Sequence, residues 1–137
     1  MTEDAENNIE DLEQFLGKNA FQLKHRSNSL YFGNKSISYR NPIITVDISL
    51  DRSAWSIEFS SVLRQYSRRM YDAQLLRDFF MGTITTDPVP LADQIEFIKG
   101  HFADILRCFS EDMMAQTLSQ LDSLGKERAK RMFSGPS

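Results

Sequence analysis

Strict alternation of apolar and polar positions over residues 43–60 is the strongest pattern in the chain. Ile44, Val46, Ile48 and Leu50 alternate with Thr45, Asp47 and Ser49. Further on, Trp55, Ile57 and Phe59 alternate with Ser56, Glu58 and Ser60. A period of two gives each set its own face, one buried and one wet, so the stretch predicts a β-hairpin. Directly opposed residues share a face. The apolar set is even-numbered on the first arm and odd-numbered on the second, so opposed positions must sum to an odd number. Pairing Leu50 with Trp55 satisfies this and predicts a four-residue loop, Asp51-Arg52-Ser53-Ala54, built on a type I turn. The same register sets Asp47 opposite Glu58. Like charges directly opposed are unfavourable in a sheet. The register therefore implies a basic group nearby, a basic partner from outside, or two solvated carboxylates on an open face. A two-residue loop or a bulge, in place of the four-residue loop, would separate them.

The flanking patterns are shorter. Ile9, Leu12, Phe15 and Leu16 make one stripe of a helix over residues 9–16, with Gly17 as its stop and residues 1–8 expected to be frayed. Phe21 and Leu23 alternate with Gln22 and Lys24. Ser27-Asn28 is turn chemistry, residues 29–33 read as a strand, Gly33-Asn34 is the next turn, and residues 36–39 start a further strand. Pro42, after Asn41, has no N–H for a ladder and predicts a bulge or an edge position. Short connections make neighbouring strands antiparallel, giving a meander of four to five strands.

After Ser60 the period becomes helical. Val62, Leu63, Tyr66 and Met70 predict one turn of helix or more. Asp72 is placed as the N-cap of a helix carrying Leu75, Leu76, Phe79 and Phe80, which Gly82 ends. Thr83–Pro90 is a loop. Leu91, Ile95, Ile98, Phe102, Ile105 and Phe109 recur at helical spacing and predict a single helix over 91–109. Ser110 is expected to cap a helix with Met114, Leu118 and Leu121 on one side. Gly125 is expected to break it before a basic stretch at 126–133, with residues 134–137 a frayed tail. Strands first and helices last predict an α+β domain over residues 1–137. Three to four C-terminal helices would cover one face of the sheet.

Composition bounds the function classes. At 137 residues, with 41% hydrophobic and 26% charged positions, there is room for one real core. No apolar run approaches the roughly 20 residues needed to cross a bilayer. The acidic N-terminus does not read as a signal peptide, and the single Cys108 fits a reducing compartment, so a cytoplasmic protein is expected. The net charge of −3 is uneven. Residues 1–17 hold Glu3, Asp4, Glu6, Glu10, Asp11 and Glu13 with no Lys or Arg, which leaves a net +3 on the remainder. Neither part has the strongly basic face of a nucleic-acid binder. Two smaller basic groups, Arg64/Arg68/Arg69/Arg77 and Lys126/Arg128/Lys130/Arg131, fit surface residues that complement helix ends.

Catalytic residue types concentrate only at His101, Asp104 and Cys108. On one helix the first and last stand about 10 Å apart along the axis, too far for a nucleophile and its base, which need about 3 Å. A buried cysteine beside a half-exposed histidine is the plainer reading. There is no glycine-rich phosphate loop, nucleophile elbow or zinc motif. No catalytic residue, metal or cofactor is therefore expected. The candidate partner-binding residues are Glu6, Glu10, Asp11, Glu13, Asp47 and Glu58.

The order of features resembles small bacterial immunity proteins of toxin systems. It runs from an acidic helix to a meander with Asp51-Arg52-Ser53-Ala54-Trp55, then Tyr71-Asp72 before a Leu-Leu helix. Gln94-Ile95-Glu96-Phe97 and the run from Gly125 to Phe133 complete it. The likeness is one of layout over about residues 9–133. It implies a cytoplasmic antidote that binds a cognate toxin domain, such as a nuclease, and blocks its active site. A secretion-type chaperone, usually a homodimer with an exposed apolar groove, is the alternative. An enzyme built on His101 or His25 with carboxylates ranks third.

Overall fold

A computed structural model describes residues 2–28 and 33–134. A helix, α1 (Thr2–Lys18), precedes five strands: β1 (Gln22–Asn28), β2 (Lys35–Arg40), β3 (Ile44–Asp51), β4 (Ala54–Ser61) and β5 (Tyr71–Asp72). Four helices follow: α2 (Ala73–Met81), α3 (Leu91–Gly100), α4 (Phe102–Cys108) and α5 (Met114–Ser134). The strands form one antiparallel sheet in the order β1-β2-β3-β4-β5. This is the α+β layout that the patterning predicts.

The central hairpin has the predicted register: Leu50 faces Trp55, Ile48 faces Ile57, and Asp47 faces Glu58. Its loop differs. Asp51 pairs with Ala54, leaving only Arg52 and Ser53, both at positive φ (52° and 68°). Two left-handed central residues define a type I′ turn, whose twist matches that of the flanking strands. The shorter loop does not part the carboxylates, because Asp51 with Ala54 and Leu50 with Trp55 belong to the same register. At the other end of β3, Asn41 makes a tight turn instead of a bulge. Its Oδ1 accepts from the N–H groups of Ile43 and Ile44 (2.7 and 2.8 Å), and Pro42 needs no donor there.

The even positions of β3 and the odd positions of β2 and β4 point into the core: Ile37, Tyr39, Ile44, Val46, Ile48, Ile57 and Phe59 are all buried. Helices cover that face. From α1, Ile9, Leu12 and Leu16 are buried, and Phe15 meets Phe102 of α4 edge-on, with ring centroids 5.1 Å apart. Phe109 lies against Phe59 of the sheet. Two tyrosines of the same face reach the helices. Tyr39 donates to Glu13 of α1 (2.7 Å), and Tyr71 donates to Asp122 of α5 (2.7 Å). Burial and the carboxylate partner push the Tyr39 phenol up to about 12, and the same causes raise that of Tyr71.

Several elements depart from expectation. Residues 2–8 are helical and continue α1, with Ala5 half-buried one turn before the buried Ile9. The left-handed residue after α1 is Ala20 (φ 67°), not Gly17. Ser27 and Asn28 continue β1 and pair with Ser36 and Lys35. The strand expected at 29–33 lies outside the described residues but for Gly33, which has the positive φ of a turn (64°). Residues 62–70 form successive turns, with bonds from Tyr66 N to Leu63 O and from Arg69 N to Tyr66 O. The chain there must double back within nine residues to pair Tyr71 with Phe59, which leaves no length for a helix. The helix expected over 91–109 is divided at His101, whose φ of −117° is not helical. Gly100 before it carries no side chain to resist the bend. Bonds from His101 N to Phe97 O and from Ile105 N to His101 O still span the break. Ser110 bonds back to Arg107 O and closes α4, so α5 starts at Met114. Gly125 lies inside α5, where a β-carbon would sit 3.8 Å from Leu75 of α2. Asp72 and Gly82 cap α2 as predicted. Asp72 accepts from Leu75 N, and Gly82 (φ 68°) returns its N–H to Asp78 O.

Candidate partner-binding surface

One sheet face is covered; the other carries Thr45, Asp47, Ser49, Ser56, Glu58 and Asp72. Register places three of these carboxylates in a row across adjacent strands, with Asp47 of β3 facing Glu58 of β4 and Glu58 facing Asp72 of β5. Directly opposed side chains stand roughly 5 Å apart at Cβ, close enough for each charge to act on the next. The Glu58 carboxyl is accordingly held above the ordinary glutamate range, first by partial burial, then by Asp72 and by Asp47.

The three are balanced differently. Asp72 is clamped by Arg128 of α5 through two bonds of 3.2 and 2.9 Å. The guanidinium and the α2 cap thus share one carboxylate, and the Arg128 pKa is raised by that hydrogen bonding. Asp47 lies in a depression of about 430 Å³ with Arg40, Arg64 and Ser67, where the turns of residues 62–70 fold over one end of the sheet. Neither arginine forms an ion pair with Asp47 among the described residues. Glu58, between the other two, has no ion pair among the described residues. Ser49 and Ser56 bond to each other beside it (2.7 Å).

The acidic residues of α1 occupy a separate place on the helix-covered side. Glu13 binds Arg26 and Tyr39, Asp11 binds Lys99 of α3, and Glu6 stands 3.8 Å from Lys35. Half of the six candidate residues thus tie α1 to the sheet and to α3. Glu10, with Glu6 and Glu13, lines a groove that includes Trp55. The structure brings Asp47 and Glu58 together and adds Asp72 to them; it does not join them to the α1 carboxylates. Asp72 was visible in the sequence only as a helix cap. Its place in the row depends on β5, which at two residues carries no readable pattern.

His101, Asp104 and Cys108 have separate surroundings. The His101 ring stacks on Phe97 and Phe80, with centroids 4.8 and 5.8 Å away, and its Nδ1 meets Phe97 O. Asp104 pairs with Arg107 (3.2 Å). Burial, then Asp104, raises the Cys108 thiol above its ordinary value, which disfavours the thiolate. Among the described residues no cluster of His, Cys, Asp and Glu has a metal-binding arrangement, and no helix is long and apolar enough to cross a membrane. Within the two basic groups, Arg69 binds Asp122, Arg128 binds Asp72, and Arg131 faces Glu127. Comparison with known protein families, with curated proteins and with solved structures finds no match.

Proposed function

We propose that this chain is a non-catalytic binding domain of the bacterial immunity type, which neutralises a cognate toxin domain by covering its active site. The acidic row on the uncovered sheet face supports this reading most. Glu58 is flanked by two carboxylates and has no ion pair among the described residues, so a lysine or arginine from a partner relieves a repulsion that the free protein carries. A nuclease toxin, with a basic nucleic-acid groove, offers such groups. The test is to purify the toxin domain encoded beside this chain and add the chain in equal amount. Loss of toxin activity together with a stable complex is expected. Full toxin activity with no complex overturns the proposal.

A second reading, a secretion-type chaperone, draws on the apolar end of α5, where Met132 and Phe133 are 56% and 90% exposed. Such chaperones are usually homodimers with an exposed apolar groove; sedimentation showing a monomer at all concentrations counts against this reading.

A further inference from the structure

The two edges of the sheet are built differently. β1 is exposed along its whole length. It carries Lys24, His25 and Arg26 and a register irregularity between Leu23 and His25. Such charges and bulges keep an edge from pairing with a further strand. The opposite edge is closed only in part. β5 pairs with Glu58 and Phe59 and then turns into α2. No strand adjoins that side of Ala54–Ile57 among the described residues. This stretch, Ala-Trp-Ser-Ile, has no charge, no proline and no bulge.

The turn decides which backbone groups this edge presents. In a two-residue hairpin the flanking pair, Asp51 and Ala54, exchanges both bonds, and bonded and non-bonded pairs alternate from there. Trp55 and Ile57 therefore direct N–H and C=O away from β3, as Phe59 does where it meets Tyr71. Beside them lies a groove of about 480 Å³, walled by Trp55, Val89, Leu91 and Met132. The loop that forms its far bank is fixed: the Gln74 amide donates to Thr85 O and Asp87 O and accepts from Val89 N. The charged residues lining the groove, Asp72 and Arg128, are paired with each other. Glu58, which follows Ile57 in β4 and has no ion pair among the described residues, leaves the end of this edge acidic.

We propose that the bare edge of β4 takes up an extended segment of a partner protein as an added strand. Apolar residues of that segment would face the groove, alternating with lysine or arginine. Main-chain bonds to Trp55 and Ile57 supply attachment, and the groove and its acidic border supply selectivity. This site lies at the sheet edge, where it borders Glu58 and Asp72 of the acidic row, and its backbone attachment depends on neither reading above.

Trp55 is the only tryptophan, so its emission reports occupancy. The probe is the blocked peptide acetyl-Lys-Val-Lys-Val-Lys-Val-amide, titrated into the intact chain. A saturable change in Trp55 emission is expected, with amide exchange slowed about tenfold at Trp55 and Ile57 and unchanged at Ser56. N-methylating one alternate set of peptide nitrogens in the probe should abolish binding, while methylating the other set should not, because an edge bonds one side of a strand only. Equal tolerance of both sets, or no protection at Trp55 and Ile57, overturns the proposal. Equal binding of the Glu-Val counterpart overturns the basic partner. Protection that rises with chain concentration in the absence of peptide would make the occupant a second copy and overturn a foreign strand.

Discussion

Replacing Glu58 by glutamine should make the protein more stable. The substitution keeps the shape of the side chain and removes a charge that faces Asp47 on one side and Asp72 on the other. Opposed pairs in a sheet differ by about 0.2–1 kcal/mol each, and like charges fall on the unfavourable side. Two such neighbours, one of them offset by Arg128 and all partly in contact with water, give a gain of about 0.5–1 kcal/mol. With a urea slope of about 2 kcal/mol per molar, the unfolding midpoint should rise by roughly 0.3–0.5 M. The pH dependence has a definite sign. The folded-state pKa of Glu58 is raised above the unfolded value by burial, Asp72 and Asp47, so the folded protein binds this proton more tightly. Wild-type stability therefore falls as pH rises from the ordinary glutamate pKa to the raised one. Glu58→Gln lacks that slope, so its advantage is full above the folded pKa and fades on acidification below the unfolded one. Removing Arg128 as well should enlarge the advantage, because Asp72 then acts uncompensated, and a double-mutant cycle reads that coupling. A glutamine variant no more stable than wild type at neutral pH, or one whose advantage grows on acidification, refutes the reasoning.

Three further substitutions test the local geometry. Arg52→Asn with Ser53→Gly should raise stability by about 1–2 kcal/mol in urea unfolding, because both positions are left-handed and neither natural residue suits that conformation; a loss contradicts the type I′ turn. Gly125→Ala should add about 1 kcal/mol and raise the melting temperature by roughly 4 °C, since α5 gains a better helix former and the methyl meets Leu75 at ordinary contact distance. A lowered melting temperature would show that α2 and α5 approach more closely. Asp78→Ala should cost about 3 kcal/mol, because Asp78 is 1% exposed and accepts from Thr83 Oγ1, Thr85 Oγ1 and Thr85 N; a cost below about 1 kcal/mol in the same urea assay contradicts the buried network.

The hairpin was legible because alternation and parity are local: once Leu50 faces Trp55, Asp47 must face Glu58. The caps of α2 were legible for the same reason, each resting on one residue with a known preference. What escaped depends on contacts between distant positions. Arg52-Ser53 has none of the glycine or asparagine that marks a type I′ turn, so the loop read as longer. Gly125 reads as a break until Leu75 of another helix is set against it. Val62, Leu63, Tyr66 and Met70 have helical spacing, yet the return of Tyr71 to Phe59 leaves them only turns. The carboxylates of α1 read as a free acidic surface, but Lys99, Arg26 and Lys35 claim Asp11, Glu13 and Glu6 through pairings that no local pattern encodes.

The decisive measurement is the association rate of this chain with the cognate toxin domain of the proposal above, by stopped flow at low and high salt, for wild type and for Asp47→Lys/Glu58→Lys. Charge reversal on the uncovered face should slow association about tenfold at low salt and flatten its salt dependence, with folding intact by circular dichroism. Equal rates and equal salt dependence for the two proteins contradict the acidic row as the surface that meets the partner.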